Sequence, residues 1–370
     1  MVLRDKVWIR SGLLPGLILS FCLAACLQKR DIPSAIAIKW DDSVATGFVV
    51  PRQLVSTVSD DSVRDGLRIH LVRDTPQPPV LGEYRILNDE VIFQPLIPFT
   101  RGLTYEVRFK NQSLATIRIP PVDPARAPEL IAIYPTQDTL PENLLKMYLE
   151  FSQPMKETDP LSYVRLVRNG RDTMPEVFLD LRPALWNNEG TLLTLWLDPG
   201  RIKRDLQPNK SLGAPLLANQ TYKLVIDKRW PSKSGALLKR SSDKTFFAGA
   251  RDNLSPDLAL CNISIPRPGT KDPLRIDLPE TLDCVLLKEA IDVIDSHAKS
   301  VEGKVNITDE ETVLLFIPAA EWQRGSYFLR SESRLEDLAG NNLNRLFDRD
   351  MTVQQAEIQK DFHKLEFTIR

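Results

Sequence analysis

Short runs of apolar residues, separated by polar residues and prolines, dominate the chain after about residue 34. In Thr104–Phe109 (TYEVRF) every second residue is apolar, which is the period-two pattern of a half-buried β-strand. Thr191–Leu197 (TLLTLWL) is largely apolar and ends at Asp198-Pro199-Gly200, a turn sequence, so it predicts a core strand rather than a helix. The pattern predicts an all-β protein.

The same pattern predicts further strands along the whole chain. They are Ala35–Lys39, Gly47–Val50, Leu67–Val72, Glu90–Phe93, Ala115–Ile119, Leu130–Pro135, Met147–Phe151, Tyr222–Asp227, Lys244–Phe247, Leu274–Leu278, Lys304–Ile307, Thr312–Ile317 and Ser326–Arg330. Leu286–Ile294 fits a short helix nearly as well as a strand. Lys364–Arg370 alternates in the same way and is expected to add a last strand.

A motif recurs about every 100 residues and indicates one module used three times. It ends in Gly102-Leu-Thr-Tyr105, Asn219-Gln-Thr-Tyr222 and Gly325-Ser-Tyr327, each followed by an alternating strand. Such repetition is typical of an array of β-sandwiches. The predicted domains are residues 34–121, 125–251 and 255–352, with a C-terminal segment 353–370.

Residues 1–25 have the layout of a signal peptide. Basic residues stand at the start, an apolar run follows over Ser11–Ala25, and Cys26 comes next. Leu23-Ala24-Ala25-Cys26 resembles the lipobox of bacterial lipoproteins, which implies lipidation of Cys26 and cleavage before it. The run is too short for a membrane-spanning helix. Residues 26–33 are then expected to form a lipidated tether.

Several motifs in the second and third domains resemble the Big-type and SbsA-like immunoglobulin-like domains of bacterial envelope and surface proteins. Leu149–Met155 (LEFSQPM) is similar to their early strand, and Asp337–Asn341 (DLAGN) is similar to the turn after their late strand. The resemblance implies tandem immunoglobulin-like β-sandwiches. The first domain matches by the repeated motif alone.

Composition narrows the function classes. The chain has 28 prolines and 16 glycines, and frequent prolines suit short strands with many turns. The formal net charge is −1, and basic residues are scattered among acids, so no nucleic-acid partner is expected.

The sequence contains no recognisable motif of a catalytic, metal or cofactor site. His70, His297 and His363 lie in different segments, without the spacing of a zinc site. Phosphate-binding, dinucleotide and nucleophile-elbow motifs are absent, so no metal, cofactor or catalytic residue is predicted. The acidic stretches Asp41–Asp42, Asp60–Asp61 and Asp309–Glu311 are interpreted as solvated turns rather than as the carboxylate pair of a glycosidase.

Other conspicuous residues have a structural interpretation beside a functional one. Asp337–Asn341 is expected to form a tight turn, since calcium would need six to eight oxygens, more than this loop supplies. Trp196, Trp230 and Trp322 are expected to pack in the cores or at the edges of the sandwiches rather than form sugar platforms. Arg201–Arg204 is expected to be a solvated face or a loop cap, with an anion site as the alternative.

Cys261 and Cys284 remain in the chain after the predicted cleavage. An exported protein reaches a compartment that permits disulfides, so the two thiols could pair. Two small buried hydrophobes are the equal alternative, because the sequence does not give the distance between them.

These observations together predict a non-catalytic lipoprotein of the bacterial cell envelope that acts as a scaffold or binding module. The lipid would attach it to a membrane, with the outer membrane favoured and the body in the periplasm or outside the cell. A protein or glycan partner is expected. The alternatives are an adhesin or polysaccharide-binding lipoprotein, and an envelope hydrolase that uses remote carboxylates.

Overall fold

The structure is a computed structural model that describes residues 35–41, 44–55, 59–349 and 359–370 of the chain. The predicted signal peptide, the tether and Cys26 lie outside the described residues.

Among the described residues, seven strands build each of the first and third domains, and nine build the second. The strands of the first domain are β1 (Ala37–Asp41), β2 (Val44–Pro51), β3 (Leu67–Leu71), β4 (Gly82–Ile86), β5 (Glu90–Pro95), β6 (Thr104–Phe109) and β7 (Gln112–Arg118). Those of the second are β8 (Leu130–Tyr134), β9 (Thr139–Pro141), β10 (Lys146–Phe151), β11 (Val164–Arg168), β12 (Asp172–Met174), β13 (Leu185–Trp186), β14 (Leu192–Trp196), β15 (Gln220–Ile226) and β16 (Ser242–Gly249). Those of the third are β17 (Asn262–Ser264), β18 (Leu274–Asp277), β19 (Ile291–Asp295), β20 (Gly303–Thr308), β21 (Val313–Pro318), β22 (Gly325–Glu332) and β23 (Phe362–Ile369).

Helices are few and short. The α-helices are α1 (Asp60–Gly66), α2 (Pro199–Ile202), α3 (Gln207–Leu212) and α4 (Cys284–Ala290), and short 3-10 helices span Arg52–Val55, Pro124–Arg126, Pro160–Tyr163 and Leu258–Leu260. In the described part of the chain, no helix has the length and apolar character needed to cross a membrane.

The first and third domains have the same topology. One sheet has the order β1-β2-β5-β4 and the other β3-β6-β7, and the third domain repeats this as β17-β18-β21-β20 and β19-β22-β23. A helix precedes the first strand of the smaller sheet in both, α1 before β3 and α4 before β19. Four strands facing three in this order are the arrangement of the immunoglobulin fold. The prediction of tandem immunoglobulin-like sandwiches is confirmed.

The second domain keeps this plan and adds two strands. Its sheets are β13-β14-β10-β8 and β12-β11-β15-β16-β9. The added strand β9 lies parallel to β16 and pairs Leu140 with Ala248, whereas the other described strand pairs of this domain are antiparallel. Leu140 is buried in the core. Strand β9 therefore covers the edge of β16 and also fills the sandwich.

The hydroxyl of the tyrosine in the repeated motif is hydrogen-bonded to the backbone four or five residues upstream in each domain, an arrangement known as a tyrosine corner. The N–H of Thr100 donates to Tyr105 Oη at 3.1 Å, and the N–H of Leu217 donates to Tyr222 Oη at 2.8 Å. In the third domain Tyr327 Oη donates to the carbonyl of Gln323 at 3.1 Å. A tyrosine at the start of this strand that bonds the backbone just upstream is a hallmark of immunoglobulin-like domains. The motif thus marks the same strand three times.

Each sandwich buries its own hydrophobic core. The buried clusters run from Ala45 to Ile119, from Leu140 to Ala248 and from Leu258 to Ile369. Trp230 and Trp322 are among the most buried large side chains, which agrees with their expected packing role. The exact domain boundaries stay predictions.

The structure corrects three local expectations. Asp198-Pro199-Gly200 is not a simple turn, since Asp198 Oδ1 accepts the N–H of Gly200 and starts helix α2. The ambiguous stretch 286–294 contains both elements, because α4 ends at Ala290 and β19 begins at Ile291. Helix α1 was not predicted, although Ser59 accepts the N–H of Ser62 as its N-cap. The last predicted strand is present as β23.

We expect the tyrosine corner to stabilise the second domain measurably. Tyr222→Phe leaves the N–H of Leu217 without its partner, so the free energy of unfolding should fall by about 1 kcal/mol. The measurement is urea denaturation followed by tryptophan fluorescence. Tyr163→Phe is the control, because that ring stacks on Trp230 and its hydroxyl has no hydrogen bond among the described residues. Equal losses in both variants would contradict the role of the corner.

Candidate functional site

The turn Asp337–Asn341 lies at the junction between the second and third domains. Asp337 Oδ1 accepts the N–H groups of Ala339 at 2.7 Å and Asn341 at 2.9 Å, and Asn341 Nδ2 donates to Asp337 Oδ2 at 2.8 Å. Gly340 has a φ of 82°, which favours glycine. The expected tight turn is confirmed.

This turn packs directly onto the second domain. The N–H of Leu145 donates to the carbonyl of Leu338 at 2.9 Å, and the Leu338 side chain packs against the core of the second domain. A Cβ on Gly340 would collide with the Leu145 side chain. Two features therefore favour glycine at this position: its positive φ and the close approach of the Leu145 side chain.

A buried ion-pair network lies beside the turn. Lys146 Nζ of β10 is 3.1 Å from Asp283 Oδ2 and 2.7 Å from Glu336 Oε2. Tyr148 Oη donates to the same Asp283 oxygen at 2.6 Å, and the other oxygen of Asp283 caps helix α4. Burial disfavours the charged ammonium, but the two carboxylates outweigh it and raise the pKa of Lys146. Burial and Asp283 likewise raise the pKa of Tyr148.

A second set of contacts joins the same two domains. Glu311 is 5% exposed and accepts the N–H of Thr136 at 2.9 Å and its hydroxyl at 2.8 Å. Gln137 donates to the hydroxyl of Thr281. The interpretation of Asp309–Glu311 as a solvated turn is wrong at Glu311, because the neighbouring domain covers this residue. Asp60 and Asp61 lie in the first turn of α1.

The cavity at this junction is small. Its lining includes Tyr134, Tyr148, Asp283, Cys284 and Asp337. Its volume of about 10 Å³ is roughly the space for one water molecule. This cavity therefore offers no space for an organic substrate. A larger, open pocket of about 1020 Å³ lies on the same junction, between Lys203–Leu206 and Arg345–Arg349.

Three carboxylates that are distant in sequence meet close to this turn. One oxygen each of Asp252, Glu280 and Asp337 lies within 4.8 Å of the others. Burial raises the pKa of Glu280 to about 7, and the charge of Asp252 adds to the effect. Burial also raises the pKa of Asp337 to about 7, in spite of the hydrogen bonds that lower it. The sequence could not reveal this group, because its members come from three loops.

These carboxylates are the described residues that could hold a metal ion. Three oxygens fall short of the six to eight that calcium takes, and both oxygens of Asp337 already accept hydrogen bonds within the turn. The group is therefore a cluster of carboxyl groups that repel one another when they are ionised.

The remaining candidates from the sequence have structural surroundings. Arg201 is 4% exposed and donates to carbonyls that include those of Gly213 and Glu176, so it is a loop cap. Lys203 lies over the ring of Phe347, and Arg204 pairs with Asp348. Both contacts cross the domain junction. Trp196 is half-buried beneath the Lys146 ammonium.

The histidines do not assemble into a site. His70 Nδ1 lies 3.0 Å from the carbonyl of Gln77 in the first domain. His363 Nε2 lies 3.1 Å from Asn344 Oδ1, and His297 follows β19 in an exposed turn. The three imidazoles therefore lie in separate local surroundings and do not form a common site.

The two cysteines are free thiols in the structure. The disulfide that the sequence left open is not formed, and the alternative of two packed thiols describes what is seen. Cys284 is buried at the start of α4, where burial raises its pKa. Cys261 is partly buried, and burial raises its pKa to about 11. Neither thiol has the lowered pKa of a reactive cysteine.

Comparisons with known proteins give remote similarity. No protein-family model and no curated protein matches the chain. Among solved structures, domains MG0-NIE-MG1 of alpha-2-macroglobulin from Escherichia coli share 11% identity at a TM-score of 0.22, over 55% of this chain and 66% of that one. The N-terminal part of the bacterial S-layer protein SbsC shares 12% identity at 0.23, over 56% and 40%. Chicken CNTN1 domains FN1-FN3 share 9% at 0.20, over 91% and 99%. The fold assignment therefore depends on the strand topology described above.

We expect Lys146 to couple the second and third domains. Lys146→Ala leaves the carboxylates of Asp283 and Glu336 without their buried cation, which should cost about 3 kcal/mol and separate the unfolding of the two domains. Differential scanning calorimetry measures both effects. The control is Lys239→Ala, which removes the exposed pair with Glu129 and should leave the unfolding transition nearly unchanged. An unchanged single transition in the Lys146 variant would contradict the coupling.

The acid cluster should make stability depend on pH. The folded pKa values of Glu280 and Asp337 lie above their ordinary values of 4.5 and 3.8. Between those values and about pH 7 the folded chain keeps protons that the unfolded chain has released. The free energy of unfolding should therefore fall as the pH rises through this window.

Glu280→Gln tests this dependence, because it removes one of the repelling charges. The variant should be more stable than wild type at pH 8 by about 1 kcal/mol, allowing for the partial exposure of the side chain. Urea denaturation at pH 5 and pH 8 measures the change, with the exposed Glu321→Gln as control. A variant less stable than wild type at pH 8 would show that the glutamate is stabilising when ionised.

Proposed function

We propose that this chain is a lipoprotein of the bacterial cell envelope, anchored through Cys26, whose immunoglobulin-like domains act as a non-catalytic scaffold or binding module. The observation that carries the proposal is the lipobox Leu23–Cys26 at the end of a signal-like segment, followed by three sandwiches. Several acyl chains would hold the protein firmly on a membrane while the domains stay in water. The outer membrane is the favoured location.

The structure supports the scaffold role through its domain junction. Backbone, ion-pair and hydroxyl contacts link the second domain to the third, so these two sandwiches are suited to hold a fixed geometry. A proline-rich segment, Pro120–Pro128, connects them to the first domain. Prolines stiffen such a linker because they restrict the backbone. The array is suited to present sheet edges and loops at a distance from a membrane.

The surroundings of several titratable groups support the proposed non-catalytic role. Tyr148, Lys146 and Asp283 bond one another across the junction, and the cavity beside them has the volume of about one water molecule. Trp230 and Trp322 are buried in the cores, which does not favour their use as glycan platforms. A partner is therefore expected to bind the exposed surfaces of the domains.

Cys26→Ser tests the anchor. The variant lacks the thiol that takes the lipid, so it should carry no lipid and remain uncut before residue 26. Mass spectrometry of the N-terminal peptide and fractionation of cells measure both effects. Cys284→Ser is the control, because its thiol lies in the body of the third domain. A Cys26 variant that is cut and fractionates like wild type would refute the anchoring.

A further inference from the structure

The third domain has an open groove between the edges of its two sheets. The groove has a volume of about 1000 Å³ and is lined by Cys261, Ile263, the segment Ile265–Pro268 and the end of β23. Strand β17 is the edge of one sheet and β23 is the edge of the other. Backbone groups at a sheet edge are ready to pair with another strand.

Strand β23 is the longest edge strand among the described residues. It pairs with β22 in an uninterrupted register over eight residues, from Phe362 to Ile369, and contains no proline. By contrast, the register of β1 shifts at Lys39/Trp40, and that of β7 shifts where it faces Val107/Arg108. Irregular edges of this kind discourage pairing with other chains. Strand β23 lacks such irregularities, and the 3-10 helix Leu258–Leu260 contacts part of it.

The second domain shows one kind of element that can occupy this position. The tyrosine corner aligns the domains, because Tyr222 pairs with Phe246 and Tyr327 pairs with Phe367. In the second domain, β9 lies parallel along the next three residues, Phe247 to Gly249. The equivalent residues of the third domain are Thr368 to Arg370. Thr368 and Arg370 line the groove, and Ile369 lies between them.

The chain of the third domain does not supply this strand. The stretch after β17 reads Ile265-Pro266-Arg267-Pro268, and proline has no N–H to donate to a ladder. Ile265 is 51% exposed, whereas the corresponding added strand of the second domain buries Leu140. The groove therefore has the position and the exposed apolar floor that a missing strand would leave.

We propose that this groove binds an extended peptide segment of a partner protein, which adds a strand parallel to β23. Main-chain hydrogen bonds to the β23 edge would provide the affinity, and an apolar side chain of the partner would lie over Cys261 and Ile263. Arg267, Glu366 and Arg370 line the same groove, and Arg267 Nε lies 3.8 Å from Asp272 Oδ2. A parallel strand places its C-terminal end beside Arg370, so the partner segment carries an acidic residue at that end.

The proposal depends on the binding-module function, but its test does not involve the lipid anchor. The probe is a synthetic seven-residue peptide that alternates valine and threonine and ends in aspartate. It is added to the detergent-solubilised full-length protein, and the rate of alkylation of Cys261 by N-ethylmaleimide is followed by peptide mass spectrometry. The buried Cys284 of the same molecule reports any unfolding.

We expect the peptide to slow the alkylation of Cys261 at least fivefold. A peptide N-methylated at every second residue lacks half of the N–H donors and should not protect. The double variant R267E/R370E should lose protection by the aspartate peptide and gain it from the same peptide ending in lysine. Lys304→Glu, an exposed charge on the far edge strand β20, is the matched control and should behave like wild type.

Two results would overturn the proposal. One is an alkylation rate of Cys261 that none of the peptides changes. The other is protection that rises with protein concentration in the absence of peptide, since a second copy of this chain would then be the occupant. Neither result bears on cleavage and lipidation at Cys26, so failure of the groove and failure of the anchor are distinguishable.

Discussion

A β-sandwich must bury one face of each sheet and must also pair, cover or guard every edge that the sheets leave. The first requirement gives this chain its repeated alternating strands and its three separate cores. The second explains the differences between the three domains. Strand β9 covers the β16 edge, register shifts interrupt β1 and β7, and β23 stays long and open. The same constraint that makes the domains alike therefore makes one of them a candidate for binding.

The junction between the second and third domains depends on a short turn. Asp337 and Asn341 bond each other and the turn backbone, so Leu338 and Gly340 can press against Leu145. Around this contact Lys146 pairs with the carboxylates of Asp283 and Glu336, while the carboxylates of Asp252, Glu280 and Asp337 lie close to one another. The first group stabilises the junction, and the second opposes it when its members are ionised. The stability of the folded chain therefore depends on pH.

A row of sandwiches with fixed and stiffly linked joints is well suited to hold a binding edge away from a surface. The proposed lipid at Cys26 would attach the first domain, and the open β23 edge belongs to the third. Anchor and groove would then lie at opposite ends of the domain sequence. Binding of a strand needs no catalytic group. This agrees with the contacts of Lys146, Tyr148 and Asp283, which bond one another and join the second domain to the third.

The sequence by itself determined the fold class, most strands and the repeated tyrosine, because alternation and turn residues act locally. It also determined the turn at Asp337–Asn341, whose glycine and capping side chains lie within five residues. Only the tertiary structure decided that Glu311 is buried, that Asp252 and Glu280 approach Asp337, and that Cys261 and Cys284 are free thiols. Those facts depend on how distant loops meet when two sandwiches dock. The sequence also could not predict that the edge of β23 is unpaired, since a strand at a sheet edge and a strand covered by another have the same alternating pattern.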